Sequence, residues 1–278
     1  MILYAKPYVD AKIKELKERV VELYSAPKLA IIQVGDNPAS NKYVGNKIKR
    51  CHEVGIDVEH ISYTEDVSTR TMLNKIDQLN SDDTVTGILV QLPLPEHLDA
   101  NFIINQICPY KDVDGLTWYN IGRLSQNLQS IPPCTPKGIM GLLDYYNIPL
   151  EGKDVLIIND SNIVGKPLAQ LMNSRGATVT IAHKRTYGIK HKIKLADIVV
   201  VGVGISNFLS ADDFAPNTTI IDVGINFVDG KMCGDVTKGD YDIISKDSNI
   251  TPVPGGVGQT TVLALLETLV DLAEETVD

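Results

Sequence analysis

The chain has 278 residues, 26 Lys+Arg against 35 Asp+Glu and 44% hydrophobic residues, an ordinary composition for a globular protein. A net charge of −9 disfavours non-specific binding to nucleic acid or to an anionic membrane, because such binding needs a positive field. Residues 1–50 hold ten Lys/Arg and five Asp/Glu, a local charge of +5. An anionic ligand is therefore expected where these cations concentrate.

The four cysteines show no CxxC spacing, so the sequence suggests neither a zinc site nor a disulfide framework. A reducing cytoplasm is the simplest setting for them. The N-terminus becomes charged within ten residues and lacks the apolar core of a signal peptide. No apolar run approaches the length of about 18 residues that spans a bilayer. We expect a cytoplasmic protein without a bound metal.

Helix-like and strand-like segments alternate through the first part of the chain. Apolar residues at helical spacing between Ile13 and Tyr24 predict an amphipathic helix. The continuously apolar run Leu29–Val34 predicts a strand buried on both faces. The pattern then predicts a helix over about 39–54, a strand over 58–63, a helix over 72–79 and a strand over 87–92.

The same alternation restarts later and predicts a strand over 154–159, a helix over 166–174 and strands over 177–183, 197–203 and 218–224. Strands separated by helix-length segments indicate parallel βαβ units in a doubly wound sheet. The two blocks therefore predict two α/β domains, the second Rossmann-like. We assign 1–135 plus 260–278 to the first and 136–259 to the second.

Two further predictions concern the connections between these domains. Residues 118–136 have few periodic apolar positions and contain PPCTP, as expected near a domain boundary. A helix should follow, with Thr135 as its N-cap and Pro136 in its first turn. The strongly apolar helix that begins near Thr260 is expected to return to the first domain.

The second domain carries a weak signal for a dinucleotide. The first strand of this block leads to Gly165, the one glycine where the usual phosphate-binding turn has three, so an ordinary βα turn explains it equally well. The next strand ends at His183, followed by Lys184 and Arg185, and cations there favour the 2′-phosphate of NADP over NAD. Alternatively, the two cations belong to a solvated loop.

The first domain offers a candidate acid/base group. Tyr43 and Lys47 are four residues apart and share a helix face, with Ser40 near the start of that helix. A lysine in a cleft can act as a general acid/base once desolvation lowers its pKa. Spacing alone favours the simpler interpretation, a solvated basic face. Gln91 and Asp114 are open to two interpretations: they contact a polar ligand, or they cap loops.

A series of motifs favours the functional interpretations of these residues over the simpler ones. The motifs are VGDNPASNKYVGNKIKRCHEVGI, GILVQLPLP, KDVDG, PCTPKGI, SNIVGKPLAQLM, ATVTIAHKRT, IDVGIN, GDV and TPVPGGVG. In this order, from about Leu29 to the final helix, they resemble the bifunctional methylenetetrahydrofolate dehydrogenase/methenyltetrahydrofolate cyclohydrolase family. PVPGGVG together with S-x-x-Y-x-x-x-K is highly specific for that family.

The resemblance implies NADP-dependent oxidation of 5,10-methylenetetrahydrofolate and hydrolysis of the methenyl product to 10-formyltetrahydrofolate. It also implies a homodimer. Lys47 would be the acid/base of the cyclohydrolase step, Tyr43 would stack on the folate ring, and Gln91 would hold Lys47. Asp114 would accept hydrogen bonds from the pterin nitrogens, and Ser40 would support the site. Further implied contacts are Pro254 and Gly255 for the substrate, and Asn159, Asp160, Ser161, Gly165 and Ile225 for the cofactor.

Two departures from the family pattern bear on the cofactor. Asp160 stands where an Arg that assists the 2′-phosphate is frequent, and Lys184 stands where Ser is usual. Our hypothesis is that Lys184, with Arg185, replaces the missing cation. Two alternatives remain open: another two-domain NADP-dependent dehydrogenase, for instance shikimate-type, and a nucleotide-binding relative without catalysis. The second alternative predicts loss of Lys47, Tyr43 or Gln91, and the sequence retains all of them.

Overall fold

The computed structural model describes residues 1–275, apart from the side chain of residue 39, and it divides into two compact units. The first unit contains Ala11–Cys134 and the chain from Val262 onward, and the second contains Met1–Asp10 and Thr135–Thr261. The prediction of two α/β domains is confirmed. Residues 276–278 of the predicted first domain lie outside the described residues.

The first ten residues belong to the second unit, whereas the sequence placed them in the first. Ile2 forms a parallel bridge with Ile250. Leu3 N donates to the Ile250 carbonyl at 2.7 Å, and Ala5 N donates to the Gly255 carbonyl at 2.9 Å. This short extended segment has no apolar periodicity of its own, so its pairing partner was not predictable from local pattern.

The first unit is built around a small parallel sheet. Its strands lie in the order β2-β1-β3, and Leu29 of the central strand pairs with Val58 on one side and with Gly87 on the other. The central strand is almost wholly buried, as its apolar run predicts. The elements are α1 (Lys6–Glu22, from Ala11 onward), β1 (Lys28–Val34), α2 (Pro38–Val54), β2 (Asp57–Tyr63), α3 (Thr69–Asn80), β3 (Gly87–Val90), α4 (Ala100–Ile104) and α5 (Trp118–Ser125).

The second unit contains a five-stranded parallel sheet in the order β10-β7-β6-β4-β5. The strand order reverses between β4 and β6, which makes this the switch point at which open α/β sheets bind ligands. The elements are α6 (Cys134–Tyr145), β4 (Asp154–Ile158), α7 (Gly165–Ser174), β5 (Thr178–Ala182), α8 (Ile189–Leu195), β6 (Ile198–Val201), β7 (Thr219–Asp222), the antiparallel pair β8 (Asn226–Val228) and β9 (Lys231–Cys233), α9 (Tyr241–Ile244), β10 (Asn249–Ile250) and α10 (Val257–Glu275).

Apolar side chains cover both faces of this second sheet. Ile157 and Val200 belong to one buried cluster, while Leu156 and Val199 belong to another. Because adjacent strand residues point to opposite faces, two clusters indicate a sheet covered on both sides. The doubly wound arrangement predicted from the sequence is therefore confirmed.

The C-terminal helix α10 continues into the first unit, as predicted. A methyl group added at Gly87 of β3 would lie 2.8 Å from a Leu269 side-chain carbon, so helix and strand are in close contact there. Arg19 fixes the exposed side of the helix by salt bridges to Asp271 at 2.8 Å and to Glu274 at 2.6 Å. Among residues 1–275, no helix combines the length and apolarity that crossing a membrane requires.

The boundary between the two units falls between Cys134 and Thr135, within the segment 118–136. This segment also contains the helix α5, whose Thr117 hydroxyl accepts from Asn120 N at 3.4 Å as an N-cap. One local prediction was wrong. The helix α6 begins at Cys134, so Thr135 lies inside it and is not its N-cap. The Thr135 hydroxyl lies 3.1 Å from the Thr261 hydroxyl.

Candidate functional site

The first unit holds Lys47 against a fixed amide. The Lys47 ammonium donates to Gln91 Oε1 at 3.0 Å. Gln91 lies one residue beyond the end of β3. Its Nε2 donates to the Leu92 carbonyl at 2.6 Å, and its backbone N donates to the Ile32 carbonyl at 2.8 Å. The amide of Gln91 is thus anchored at both ends of the residue. Its carbonyl oxygen is directed at the Lys47 ammonium.

The α2 face that carries Lys47 is partly buried. Tyr43, Lys47 and Cys51 follow one another at intervals of four residues and so lie along one side of the helix. Burial raises the pKa of the Cys51 thiol to about 12, although the nearby charge of Lys47 opposes that rise. Burial also raises the pKa of Tyr43.

The Tyr43 hydroxyl is buried and has no hydrogen-bond partner among the described residues. Buried polar groups are nearly always paired, so an orphaned hydroxyl beside a lysine requires an explanation. A polar ligand bound next to Lys47 supplies one. The family resemblance implies that the Tyr43 ring stacks on the folate, and the Tyr43 hydroxyl is an additional polar contact point.

The KDVDG motif contains two aspartates with different environments. Asp112 is buried and accepts from Leu116 N at 3.2 Å, from Thr117 N at 2.8 Å and from Asn120 Nδ2 at 3.0 Å. Asp112 therefore organises the loop. Asp114 is half-buried, and burial raises its pKa, with the Lys47 charge acting in the opposite direction. Sequence reasoning selected Asp114 and missed the supporting role of Asp112 and Asn120.

These groups reach one place because neighbouring strands end at the same edge of the sheet. Gln91 follows β3, and Asp112 forms a parallel bridge with Ile88 of that strand. Ser40 is buried at the start of α2, where its backbone N donates to Asn37 Oδ1 at 3.1 Å. An ammonium, a neutral amide, an unpaired phenol and a carboxyl group offer hydrogen-bond donors and acceptors to a polar ligand, and the ammonium group can take part in proton transfer.

The second unit has a distinct candidate site at its switch point. Asn159 follows β4 and its Oδ1 accepts from Ser161 N at 3.0 Å, from Ser161 Oγ at 2.7 Å and from Gly165 N at 3.1 Å. Its Nδ2 donates to the Gly202 carbonyl at 2.6 Å, beyond the end of β6. Asn159 therefore joins the two strands that flank the switch point, and both ends of its amide are engaged within the protein.

The turn into α7 is tightly packed around Gly165. A methyl group at Gly165 would lie 1.8 Å from the Asn159 carbonyl oxygen, so only glycine fits there. This close approach starts a ten-residue helix directly after β4. Helix N-termini in this position bind the pyrophosphate of dinucleotides. The single glycine, weak as a sequence signal, has the packing that such a turn needs.

Charged residues of the two adjacent loops lie at the same sheet edge. Ile158 of β4 pairs with Ala182 of β5, so the loops that follow these strands start side by side. Asp160 in one loop and Lys184 and Arg185 in the other are exposed. The cations predicted to meet a 2′-phosphate and the aspartate predicted to repel it are thus neighbours in the fold.

The remaining predicted contacts also belong to the second unit. Ile225 follows β7 and is 42% exposed. Pro254 is exposed, and Gly255 has φ +118°, a conformation that side-chain-bearing residues rarely adopt. The four catalytic candidates and Ser40, in contrast, all belong to the first unit.

Comparisons with known proteins cover both units. A family model described as "Tetrahydrofolate dehydrogenase/cyclohydrolase, catalytic domain" matches residues 3–114, and one described as the NAD(P)-binding domain of the same family matches residues 133–277. "Bifunctional protein FolD" of Methanospirillum hungatei is 44% identical over 274 residues, which cover 98% of this chain and 97% of that protein.

Solved structures agree. A bifunctional FolD methylenetetrahydrofolate dehydrogenase/cyclohydrolase from Campylobacter jejuni has a TM-score of 0.96 and 43% identity, covering 99% of each chain. The FolD enzyme of Trypanosoma brucei, solved with NADP cofactor and an inhibitor, has a TM-score of 0.94 and 31% identity, covering 100% of this chain and 98% of that one.

Proposed function

Because the chain belongs to the tetrahydrofolate dehydrogenase/cyclohydrolase family, we propose that it is a bifunctional enzyme of one-carbon metabolism. It oxidises 5,10-methylenetetrahydrofolate to 5,10-methenyltetrahydrofolate with NADP⁺, and it hydrolyses the methenyl form to 10-formyltetrahydrofolate. The observation that carries the proposal is the Lys47–Gln91 hydrogen bond beside the orphaned Tyr43 hydroxyl. Family membership sets aside the shikimate-type alternative, and the intact Lys47 site argues against a non-catalytic relative.

In the hydrolytic step, water adds to the methenyl carbon and the bond from that carbon to one ring nitrogen breaks. One proton of the water ends on that nitrogen, and the other is released to solvent. Lys47 carries these protons, because its amino group can exchange protons and its hydrogen bond to Gln91 holds it in one place. Gln91 orients the Lys47 side chain through its carbonyl oxygen. Tyr43 packs against the folate ring and offers its free hydroxyl, and Asp114 hydrogen-bonds the polar edge of the pterin.

The oxidative step depends on positioning. NADP⁺ supplies the hydride acceptor when it is bound. Ser161 and Gly165, in the turn that leads into α7, would hold its pyrophosphate, and Lys184 with Arg185 would hold its 2′-phosphate. Ile225 and Pro254 provide exposed surface near the carboxyl ends of the strands of the second sheet. Gly255, nearby, has a backbone conformation that favours glycine. Removal of a hydride needs close placement of two bound molecules more than it needs an acid or base.

The proposal extends to assembly and location. We place the enzyme in the cytoplasm as a homodimer, on the support of the family resemblance. Analytical ultracentrifugation of the purified chain tests the dimer. A monomer at micromolar concentration would contradict it.

The activity is tested by mixing the purified protein with 5,10-methylenetetrahydrofolate and NADP⁺ and following the methenyl absorbance as it rises and decays. In Lys47→Ala the absorbance should rise and persist, because the dehydrogenase step remains and the cyclohydrolase step has lost its proton carrier. Lys49→Ala, an exposed lysine of the same helix, is the matched control and should decay like wild type. Normal decay in Lys47→Ala would refute the assigned role.

Cofactor choice is tested with Lys184→Ala. Loss of this cation should raise the KM for NADP⁺ and leave the KM for NAD⁺ unchanged, because only NADP⁺ carries the 2′-phosphate. Lys192→Ala, an exposed lysine on α8, is the control. An unchanged ratio of the two KM values would remove Lys184 from the site.

A further inference from the structure

Two carboxylates of the second unit are fully buried and have no part in the proposed chemistry. Asp222 ends β7, and Asp235 follows β9. Asp235 packs against Gly224, close to Asp222 in the sequence, and Asp222 packs against Gly234, close to Asp235 in the sequence. A methyl group at Gly224 would lie 2.3 Å from the Asp235 carboxylate, and one at Gly234 would lie 2.0 Å from Asp222 Oδ2. The IDVGIN and GDV motifs therefore form one interlocked unit in the fold.

Asp235 gathers the loop that follows β6. Its carboxylate accepts from the successive backbone N–H groups of Val203 at 2.5 Å, Gly204 at 3.1 Å and Ile205 at 2.9 Å. It also accepts from Asn226 Nδ2 at 2.9 Å, next to Ile225. One carboxylate thus connects the segment after β6 with the segment after β7.

The Asp222 carboxylate fixes the backbone at Asp235. Asp222 Oδ1 accepts from Gly224 N at 2.9 Å and from Asp235 N at 3.0 Å, and Oδ2 accepts from Val236 N at 2.9 Å. The backbone on both sides of the Asp235 side chain is therefore fixed. These bonds leave Asp235 little freedom to turn away from the loop.

The position of this arrangement is informative. The strand β6 flanks the switch point, and the Asn159 side chain already binds the Gly202 carbonyl just before the loop. Successive backbone N–H groups that converge on one point form a binding concavity for anions. Here Asp235 fills that concavity. The N–H groups of this loop are therefore not available to an anionic ligand.

We propose that Asp235 is a positioning residue for the nicotinamide dinucleotide: it fixes the segments 203–205 and 224–226 at the sheet edge and keeps their N–H groups from competing for the cofactor's phosphates. This inference rests on the proposed function, since it takes NADP as the cofactor. It gives a role to two motifs that the catalytic residues leave unexplained.

The test uses Asp235→Asn, which keeps the side-chain volume, removes the charge and turns an NH₂ group toward backbone donors. The KM for NADP⁺ should rise about tenfold, because hydrogen bonds to a charged acceptor are lost from the loop. Cyclohydrolase turnover of added methenyltetrahydrofolate should stay at the wild-type rate, since Lys47 and its partners lie in the first unit. Asp213→Asn removes another loop-capping carboxylate of the second unit, one bonded to Ser210 N, and should change neither value.

The outcomes separate the two proposals. A wild-type KM for NADP⁺ in Asp235→Asn overturns the positioning role, and so does a parallel loss of both activities, which would show general misfolding. If Asp235→Asn is insoluble, Asn226→Ala decides, because it removes one donor and should raise the KM for NADP⁺ about threefold. A wild-type protein that shows no NADP⁺-dependent activity refutes the proposed function itself.

Discussion

Asp222 should make the stability of the second unit depend on pH in an unusual direction. Burial, aided by the charge of Asp235, raises its pKa from 3.8 to about 6, although three backbone N–H groups favour the ionised form. Tyr241, whose pKa is raised to about 12, also faces this carboxyl and stays neutral throughout the range concerned. Most paired carboxylates show the opposite shift.

The sign follows from proton binding. Because its pKa is higher in the folded state than in the unfolded state, Asp222 binds its proton more tightly when the protein is folded. Its contribution to stability is full below a pH of about 3.8 and is lost as the pH rises through about 6. A shift of this size corresponds to about 3 kcal/mol in the free energy of unfolding.

The measurement compares Asp222→Asn with wild type by urea unfolding at about pH 4 and about pH 7, conditions that bracket the titration of Asp222. Asn does not titrate, so the variant should gain about 2.5 kcal/mol relative to wild type between these conditions, whatever its stability at either one. Taking the difference cancels the other carboxyl groups, including Glu53 and Glu59, whose pKa values are lowered by Arg50 and Lys75 respectively. A difference that stays constant with pH would refute the raised pKa.

Three further variants test other parts of the structure. Gly165→Ala places a methyl group 1.8 Å from a backbone carbonyl oxygen, so it should abolish NADPH binding followed by fluorescence; retained binding would show that the turn adapts. Gln91→Leu deprives Lys47 of its acceptor and should lower cyclohydrolase kcat about tenfold with a smaller change in KM, whereas a change in KM alone would make Gln91 a substrate contact. Asn120→Ala breaks the 3.0 Å bond to Asp112 and should lower the free energy of unfolding in urea by about 1–3 kcal/mol; an unchanged value would mean that the loop does not depend on it.

The parallel strands were predictable because a buried strand leaves an apolar run that local pattern detects. The run Leu29–Val34 appears as β1 extended by one residue, and the strand predicted over 87–92 ends at Val90. Short elements were not predictable. The helix α5 depends on a Thr117 cap and on tertiary packing, and the segment at Ile2 depends on a partner, Ile250, at the far end of the chain.

Within the site, the sequence identified the residue types and left their division of labour undetermined. Motif resemblance selected Lys47 and Gln91, and the structure shows their hydrogen bond. Which aspartate of KDVDG organises the loop depends on backbone donors that fold back from residues 116 and 117, and no local pattern encodes that geometry. Asn159 was selected by location as a cofactor contact, and the structure adds that its side-chain amide binds the protein's own turn.

The net charge of −9 misleads about ligands for a physical reason. Asp112, Asp222 and Asp235 are buried, and each carboxylate is surrounded by backbone N–H dipoles that compensate its charge locally. Their negative charge therefore contributes less to the field felt by an approaching anion than the same charge would at the surface. Exposed cations such as Lys184 and Arg185 act over short distances in salt solution, within a Debye length of about 8 Å. An acidic protein can thus attract phosphate groups wherever its buried carboxylates are internally satisfied and its exposed cations lie at the sheet edge.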